Sequence, residues 1–273
     1  MRSKGWSDAH STPTRAVSFR PCGGLLLLIC AASPLTRAHA ETVSVRHPQG
    51  GAHGFVEVTT VEGTRIAVGD LLQSVRGSVV TSRLVLHFFD GSLDDETTVY
   101  SQRGTFRLLR DHHVQKGPSF PTPMDATVDA ANGIITVRDA AGSPKETHLA
   151  LPPDVYNGLA SSLLMNVSPA AAQIRIAVVV PTGDPRIVHL SMKNTGEVSF
   201  TLGGTPRKAT DYQVHVEIGG VAGVVAPLIG KEPRDYHVWI LTGANPAFIR
   251  EEGQLYVGGP VWYIQQISAA FTP

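Results

Sequence analysis

The chain reads as mainly β: a single large curled antiparallel sheet, a half-open β-barrel, with one amphipathic helix and a short apolar insert covering its concave face. Two observations predict this. Alternating apolar and polar residues recur between Gly, Pro, Asn and Asp breaks along most of residues 41–273, the pattern of half-buried strands. Helical spacing is confined to one stretch, and strands with one apolar face each must curl or pack on a second sheet to bury it. A membrane barrel would instead need an apolar, lipid-facing row on every strand. Here Arg, Glu, Asp and His crowd the non-core faces.

The first forty residues stand apart. Arg15 and Arg20 precede the apolar run GGLLLLICAAS, and Ala38-His39-Ala40 forms an A-x-A site. A basic region, a short apolar core and a small-residue cleavage site make a secretory signal peptide. The run of about ten apolar residues is half of what a membrane span needs. The expected product is a periplasmic or secreted chain cleaved after Ala40, a single β-rich domain over 41–273, with no transmembrane span after cleavage. Cys22 and Cys30 both lie in the leader, so the domain has no disulfide to draw on. Five of the 23 Lys and Arg and one of the 23 acidic residues also lie there, leaving 18 basic against 22 acidic residues. That weakly acidic balance argues against nucleic acid as a partner, since a nucleic-acid binder presents a basic face.

Along the domain, about ten or eleven strands are expected from the alternation. SRLVLHFFDGSLDDETTVYS reads as a hairpin with Asp90-Gly91 at its turn, and ATVDAANGIITVRD as another with Asn132-Gly133 at its tip. PRIVHLSMKNTGEVSFTLGG reads as a third, turning around Asn194 to Gly196. In DYQVHVEIGG, Tyr212, Val214, Val216 and Ile218 share the apolar face. QIRIAVVVP, DYHVWILTG and GPVWYIQQIS supply further strands. The helix is expected in PPDVYNGLASSLLMNV, with Asp154 as N-cap and Val155, Leu159 and Leu163 recurring on one face. The apolar insert, GGVAGVVAPLIGKEP, is flanked by glycine and far too short to cross a membrane.

Chemistry-bearing motifs are few. DHHVQKGPSF places Asp111, His112 and His113 in a row ahead of a Gly-Pro break. On a strand, neighbours point to opposite faces, so His112 and His113 cannot share one metal, whereas Asp111 and His113 share a face. The nearby break makes a solvated strand end the expectation. DDET, residues 94–97, reads as a solvated hairpin arm. His87, His189, His215 and His237 lie within strands, but no H-E-x-x-H and no domain cysteine marks a zinc site. There is no G-x-S-x-G elbow and no S-x-x-K. No cofactor, metal site or catalytic residue is therefore assigned from sequence.

The plan of leader, curled sheet, midway helix and late Trp-bearing strand resembles periplasmic proteins of the lipoprotein-localisation-factor-like fold. DDETTVYSQRGTFRLLRDHHVQKGPSFP and GGVAGVVAPLIGKEPRDYHVWIL also look like stretches of uncharacterised exported bacterial proteins. That resemblance implies a half-open barrel with an apolar cavity, and a non-enzymatic carrier for a lipid or other hydrophobic ligand. The ligand-binding candidates are Val221, Val224, Val225, Leu228 and Ile229 of the insert, with Leu163 and Trp239. Two alternatives stay open: a metal-dependent or Ser-type hydrolase built on strand-borne His and Asp, and a structural envelope protein. Protein partners are not legible.

Overall fold

The structure is a computed structural model that describes residues 42–168, 170–202, 204–217 and 234–267. Residues 1–41 and 218–233 lie outside the described residues, and with them Val221, Val224, Val225, Leu228 and Ile229. The described residues belong to the compact unit His39–Pro273.

Eight strands come first: β1 (Ala52–Thr60), β2 (Arg65–Arg76), β3 (Val79–Phe88), β4 (Leu93–Arg103), β5 (Thr105–Lys116), β6 (Met124–Asp129), β7 (Ile134–Arg138) and β8 (Pro144–His148). The short helix α1 (Ala160–Leu164) follows. Six more strands follow among the described residues: β9 (Gln173–Val180), β10 (Arg186–Leu202), β11 (Thr205–Glu217), β12 (Tyr236–Leu241), β13 (Ala247–Gly253) and β14 (Trp262–Ile267). All fourteen form one antiparallel sheet in the order β8-β7-β6-β5-β4-β3-β2-β1-β14-β13-β12-β11-β10-β9. The sheet is not closed: β8 and β9 are its two edges.

The sheet curls, because residues from both halves share one core. Val80, Tyr100, Phe106 and Ile135 from β3 to β7 belong to the same buried cluster as Ile176, Met192, Val214 and Val238 from β9 to β12. A flat sheet of this order would hold those groups tens of ångströms apart, since neighbouring strands lie about 5 Å from each other. A second cluster gathers Val58, Leu86, Phe88, Phe120 and Trp262, with the Phe88 ring 5.4 Å from Phe120 and 5.2 Å from Trp262.

The connection from β8 to β9 fills the concave side. Tyr156, Leu159, Leu163 and Leu164 are buried in the first cluster. Val155 forms a parallel bridge to Ala177 of β9. The Asn157 side chain donates to the Val179 carbonyl and accepts from its amide, both at 2.8 Å. The Tyr156 hydroxyl donates to the Phe106 carbonyl at 3.2 Å on β5. Asn166 accepts the Arg46 and His47 amides at 2.8 and 2.7 Å. These bonds satisfy backbone that would otherwise be costly to bury.

Three local expectations are revised. The helix is five residues long, and its N-cap is Leu159 with no side-chain cap. Asp154 does not cap it, because residues 154–157 are drawn into pairing with β9 and Gly158 turns the chain at φ +65°. Asn194 to Gly196 is a bulge rather than a turn: β10 runs straight through, and its hairpin to β11 closes at Leu202–Thr205. Among the described residues the sheet has fourteen strands where ten or eleven were expected: β1, β2, β8 and β13 fall in stretches whose alternation did not single them out, whereas the expected hairpin over 186–202 is the single strand β10.

Candidate functional site: a carboxylate-floored cavity

The interior polar groups come from the β4–β5 hairpin. Along β4, Asp94, Glu96, Thr98 and Tyr100 alternate onto the concave face, as the burial of Asp94, Thr98 and Tyr100 records. On β5, Phe106 and Leu108 face inward in the same way. Strict alternation would then bring Arg110 and His112 inward and leave Asp111 and His113 outside. The pairing shows otherwise. Tyr100 lies opposite Leu108 and Val99 opposite Arg110, so Leu109 is an extra residue and the ladder carries a bulge there. A bulge shifts the phase of every side chain after it. Asp111, His113 and Gln115 therefore face the core, opposite Thr98, Glu96 and Asp94. His112 turns outward to Asp125, 3.0 Å away.

Asp111-His112-His113 is thus not a solvated strand end, since β5 continues to Lys116 and Asp111 is 4% exposed. Nor is residues 94–97 a uniformly solvated arm: Asp94 is 3% exposed. The Thr98 hydroxyl donates to Asp111 Oδ1 at 3.0 Å. Gln115 Nε2 donates to Asp94 Oδ2 at 2.7 Å and to the Leu255 carbonyl at 2.9 Å. His113 Nε2 lies 3.1 Å from Asp94 Oδ1, and its Nδ1 lies 4.0 Å from Glu96 Oε1. Glu251 enters from β13, opposite Ile264 of β14 and Val238 of β12.

Two cavities open onto these groups among the described residues. The larger, about 380 Å³, is walled by Val56, Leu71, Leu84, Leu190, Phe248 and Ile264, and its polar lining includes Glu96 and Glu251 together with uncharged groups such as Gln73, Ser82 and Thr98. The second, about 360 Å³, is lined by Asp111, His113, Gln115, Val128 and Val179. Glu96 lines both. Gly158 presses the inner segment onto this floor. A Cβ there would stand 2.0 Å from Thr98 Oγ1 and 3.2 Å from both Asp111 Oδ1 and Glu96 Oε1. Only glycine supplies the positive φ and the clearance together.

Burial and mutual repulsion set the electrostatics. Burial, reinforced by the Glu96 carboxylate, pushes Asp111 up to about 7 against the pull of His113 and Thr98. Burial alone pushes Glu251 up to about 7. Glu96 is raised by burial and, despite His113, by the charges of Asp94 and Glu251. Burial disfavours the charged form of His113, but the hydrogen bond to Asp94 and the charges of Glu96, Asp94 and Asp111 outweigh it and hold the ring up at about 9. The Tyr236 hydroxyl is raised by burial and then by Glu251. Perturbed titratable groups grouped around a cavity mark a functional-site candidate.

The arrangement bears on the other candidates. Both ring nitrogens of His113 face carboxylates, so neither is turned to a serine hydroxyl as a general base requires. His215 pairs with Asp235 at 2.7 Å and His237 with Asp211 at 2.8 Å. No group of three or more His, Cys, Asp or Glu among the described residues is arranged to hold a metal. Leu163 is fully buried in the core cluster and lines neither cavity. Trp239 lies on the face of β12 opposite Val238 and Ile240, in an outer depression with Val198, Phe200 and Arg250. The Arg250 guanidinium covers the Tyr263 ring at 3.5 Å and the Trp239 ring at 5.3 Å. No helix among the described residues is long and apolar enough to cross a membrane.

The chain is similar to a solved structure described as a beta-barrel-like protein of domain of unknown function DUF1849 from Brucella abortus. The match has 10% identity and a TM-score of 0.45, and covers 81% of this chain and 98% of that one. That description does not name the lipoprotein-localisation-factor-like proteins. No protein-family model matches the chain, and no curated protein matches its sequence.

Proposed function

We propose that this protein is a non-catalytic binding protein that holds a lipid or other hydrophobic small molecule between its curled sheet and the segment 149–172. The observation that carries the reading is the cavity of about 380 Å³, lined by apolar side chains of several strands together with a set of polar groups. Small-molecule sites are typically concave, mainly apolar spaces of about 300–1,000 Å³ with a few polar groups that fix orientation. A carrier also needs apolar residues that face the interior, and the burial of Val56 and Val58 on β1 and of Tyr212 and Val214 on β11 follows that plan. We further propose export, with cleavage after Ala40, on the strength of the leader alone.

Native mass spectrometry of the exported chain, followed by solvent extraction, tests both proposals. An apolar molecule bound near one per chain is the expected result, on a polypeptide beginning at Glu41. Leu71→Trp, which places an indole in the cavity, should abolish that uptake while leaving the circular dichroism unchanged. A chain that carries nothing from a lipid-rich host and takes up no apolar dye overturns the binding reading.

A further inference from the structure

The interior holds acid without matching base. Glu96, Asp111 and Glu251 line the two cavities, Asp94 adjoins them through His113 and Gln115, and no Lys or Arg is among the described lining residues. Two histidines are. His113 lies between Asp94 and Glu96, and His53 is held by Asp70 at 2.6 Å.

Glu96 and Glu251 sit on strands five places apart in the sheet order, yet the curl brings them together at one cavity. Each acts without a donor: neither accepts a hydrogen bond from any described residue, and the approach of His113 to Glu96 is 4.0 Å. Asp111 is almost wholly buried, and Thr98 engages one of its oxygens. Its second oxygen has no partner among the described residues, and the residue borders the second cavity.

The Glu96 side chain is 27% exposed and has His113 as a cationic neighbour at 4.0 Å, yet neither it nor Glu251 has a described donor at hydrogen-bond distance. Half-buried carboxylates of this kind are stabilised when a ligand brings donors and positive charge. An ammonium group brings a positive charge and three N–H donors. A carboxylate or phosphate headgroup would meet Glu96 and Glu251, with His113 already engaged by Asp94 and Glu96, and is selected against by repulsion. The apolar wall beside the floor calls for a hydrocarbon body on the same molecule.

We propose that the cavity selects amphiphiles whose polar end is a protonated amine, with the ammonium between Glu96 and Glu251 and the hydrocarbon against Val56, Leu71, Leu84, Leu190 and Ile264. This rests on the reading of the interior as a ligand-binding cavity. Asp111 adds to the field that holds the ammonium and contacts it only through the shared wall at Glu96.

Three probes of equal chain length separate headgroup from chain: dodecylamine, dodecanol and dodecanoate, each displacing the neutral dye N-phenyl-1-naphthylamine from the purified chain near pH 8. Dodecylamine should displace the dye at concentrations at least about tenfold below dodecanoate, with dodecanol between them. In Glu96→Gln and in Glu251→Gln the amine advantage should fall to within about threefold, with dodecanol unchanged, because each variant keeps the shape and removes one charge. Glu197→Gln, on the outer surface beside Lys208, should leave the wild-type order intact and so exclude general attraction to an acidic protein. If all three probes compete alike, or the amine advantage survives both interior variants, the amine assignment is overturned while the cavity reading stands. If neither the dye nor any probe binds, the cavity reading fails and takes this inference with it. Circular dichroism and urea midpoints of the two variants confirm that folded protein is being compared.

Discussion

Gly158→Ala is the sharpest perturbation of how the inner segment meets the carboxylate floor. The new methyl would lie 2.0 Å from Thr98 Oγ1, well inside contact distance. Two costs combine. An alanine at φ +65° costs roughly 1–2 kcal/mol in backbone strain. Relief of the contact requires Thr98 to rotate and give up its bond to buried Asp111, which costs about 1–3 kcal/mol. The expected loss is therefore about 2–5 kcal/mol in urea denaturation.

Gly142→Ala isolates the first cost, because Gly142 also has positive φ, +80°, and a Cβ there meets nothing within 4 Å. Both substitutions also stiffen the unfolded chain to the same degree, so that contribution cancels in the comparison. Thr98→Ala isolates the second cost. It removes the hydroxyl that the new methyl strikes, so Gly158→Ala in that background should cost about as much as Gly142→Ala does. The coupling between positions 98 and 158 should be about 1–3 kcal/mol. Equal losses for Gly142→Ala and Gly158→Ala, with no coupling to Thr98, would refute the proposed docking of Gly158 on the floor.

Other outcomes follow from the same interior. Asp111 and Glu251 stand at about 7, above their ordinary 3.8 and 4.5, so folding takes up protons between those values. Their stabilising contribution is full at low pH and is lost as pH rises through 7; His113, raised from 6.5 to about 9, extends the same sign upward. The urea midpoint should fall steadily from about pH 5 to pH 9, each group adding at most about 1.4 kcal/mol per pH unit in its window. In the Asp111→Asn, Glu251→Gln double variant the fall below pH 7 should shrink, and an unchanged slope would count against these assignments. Leu163→Ala truncates a fully buried core residue and should cost about 2–5 kcal/mol in thermal or urea unfolding. Trp239→Phe alters only the outer face, so dye and probe affinity should be unchanged within about twofold.

Much of the sheet was legible because strand signals are local. Asp90-Gly91 and Asn132-Gly133 stand at hairpin turns between β3 and β4 and between β6 and β7, where positive φ at Gly91 and Gly133 needs glycine. The alternation of Tyr212, Val214 and Val216 in β11 names its apolar face correctly. The helix was legible only in part. Leu159 and Leu163 are buried as their spacing predicts, but the turns around Asp154 are shaped by pairing with Ala177, a residue far along the chain.

The site depended on two facts that no local pattern carries. One is the extra residue Leu109, whose bulge turns Asp111 and His113 inward, against the face that alternation from Phe106 and Leu108 assigns them. A bulge is set by the partner strand's register, so its phase shift is invisible in β5 alone. The other is the curl that sets Glu251 across a cavity from Glu96, although their strands lie five places apart in the sheet. The amino-acid sequence by itself determined that the chain is mainly antiparallel strand, the turns at Asp90-Gly91 and Asn132-Gly133 and the inner face of β11, because those depend on neighbours within a few residues. The tertiary structure decided which carboxylates meet, because that depends on register and closure summed over many strands, and small local shifts there move a side chain from water to the core.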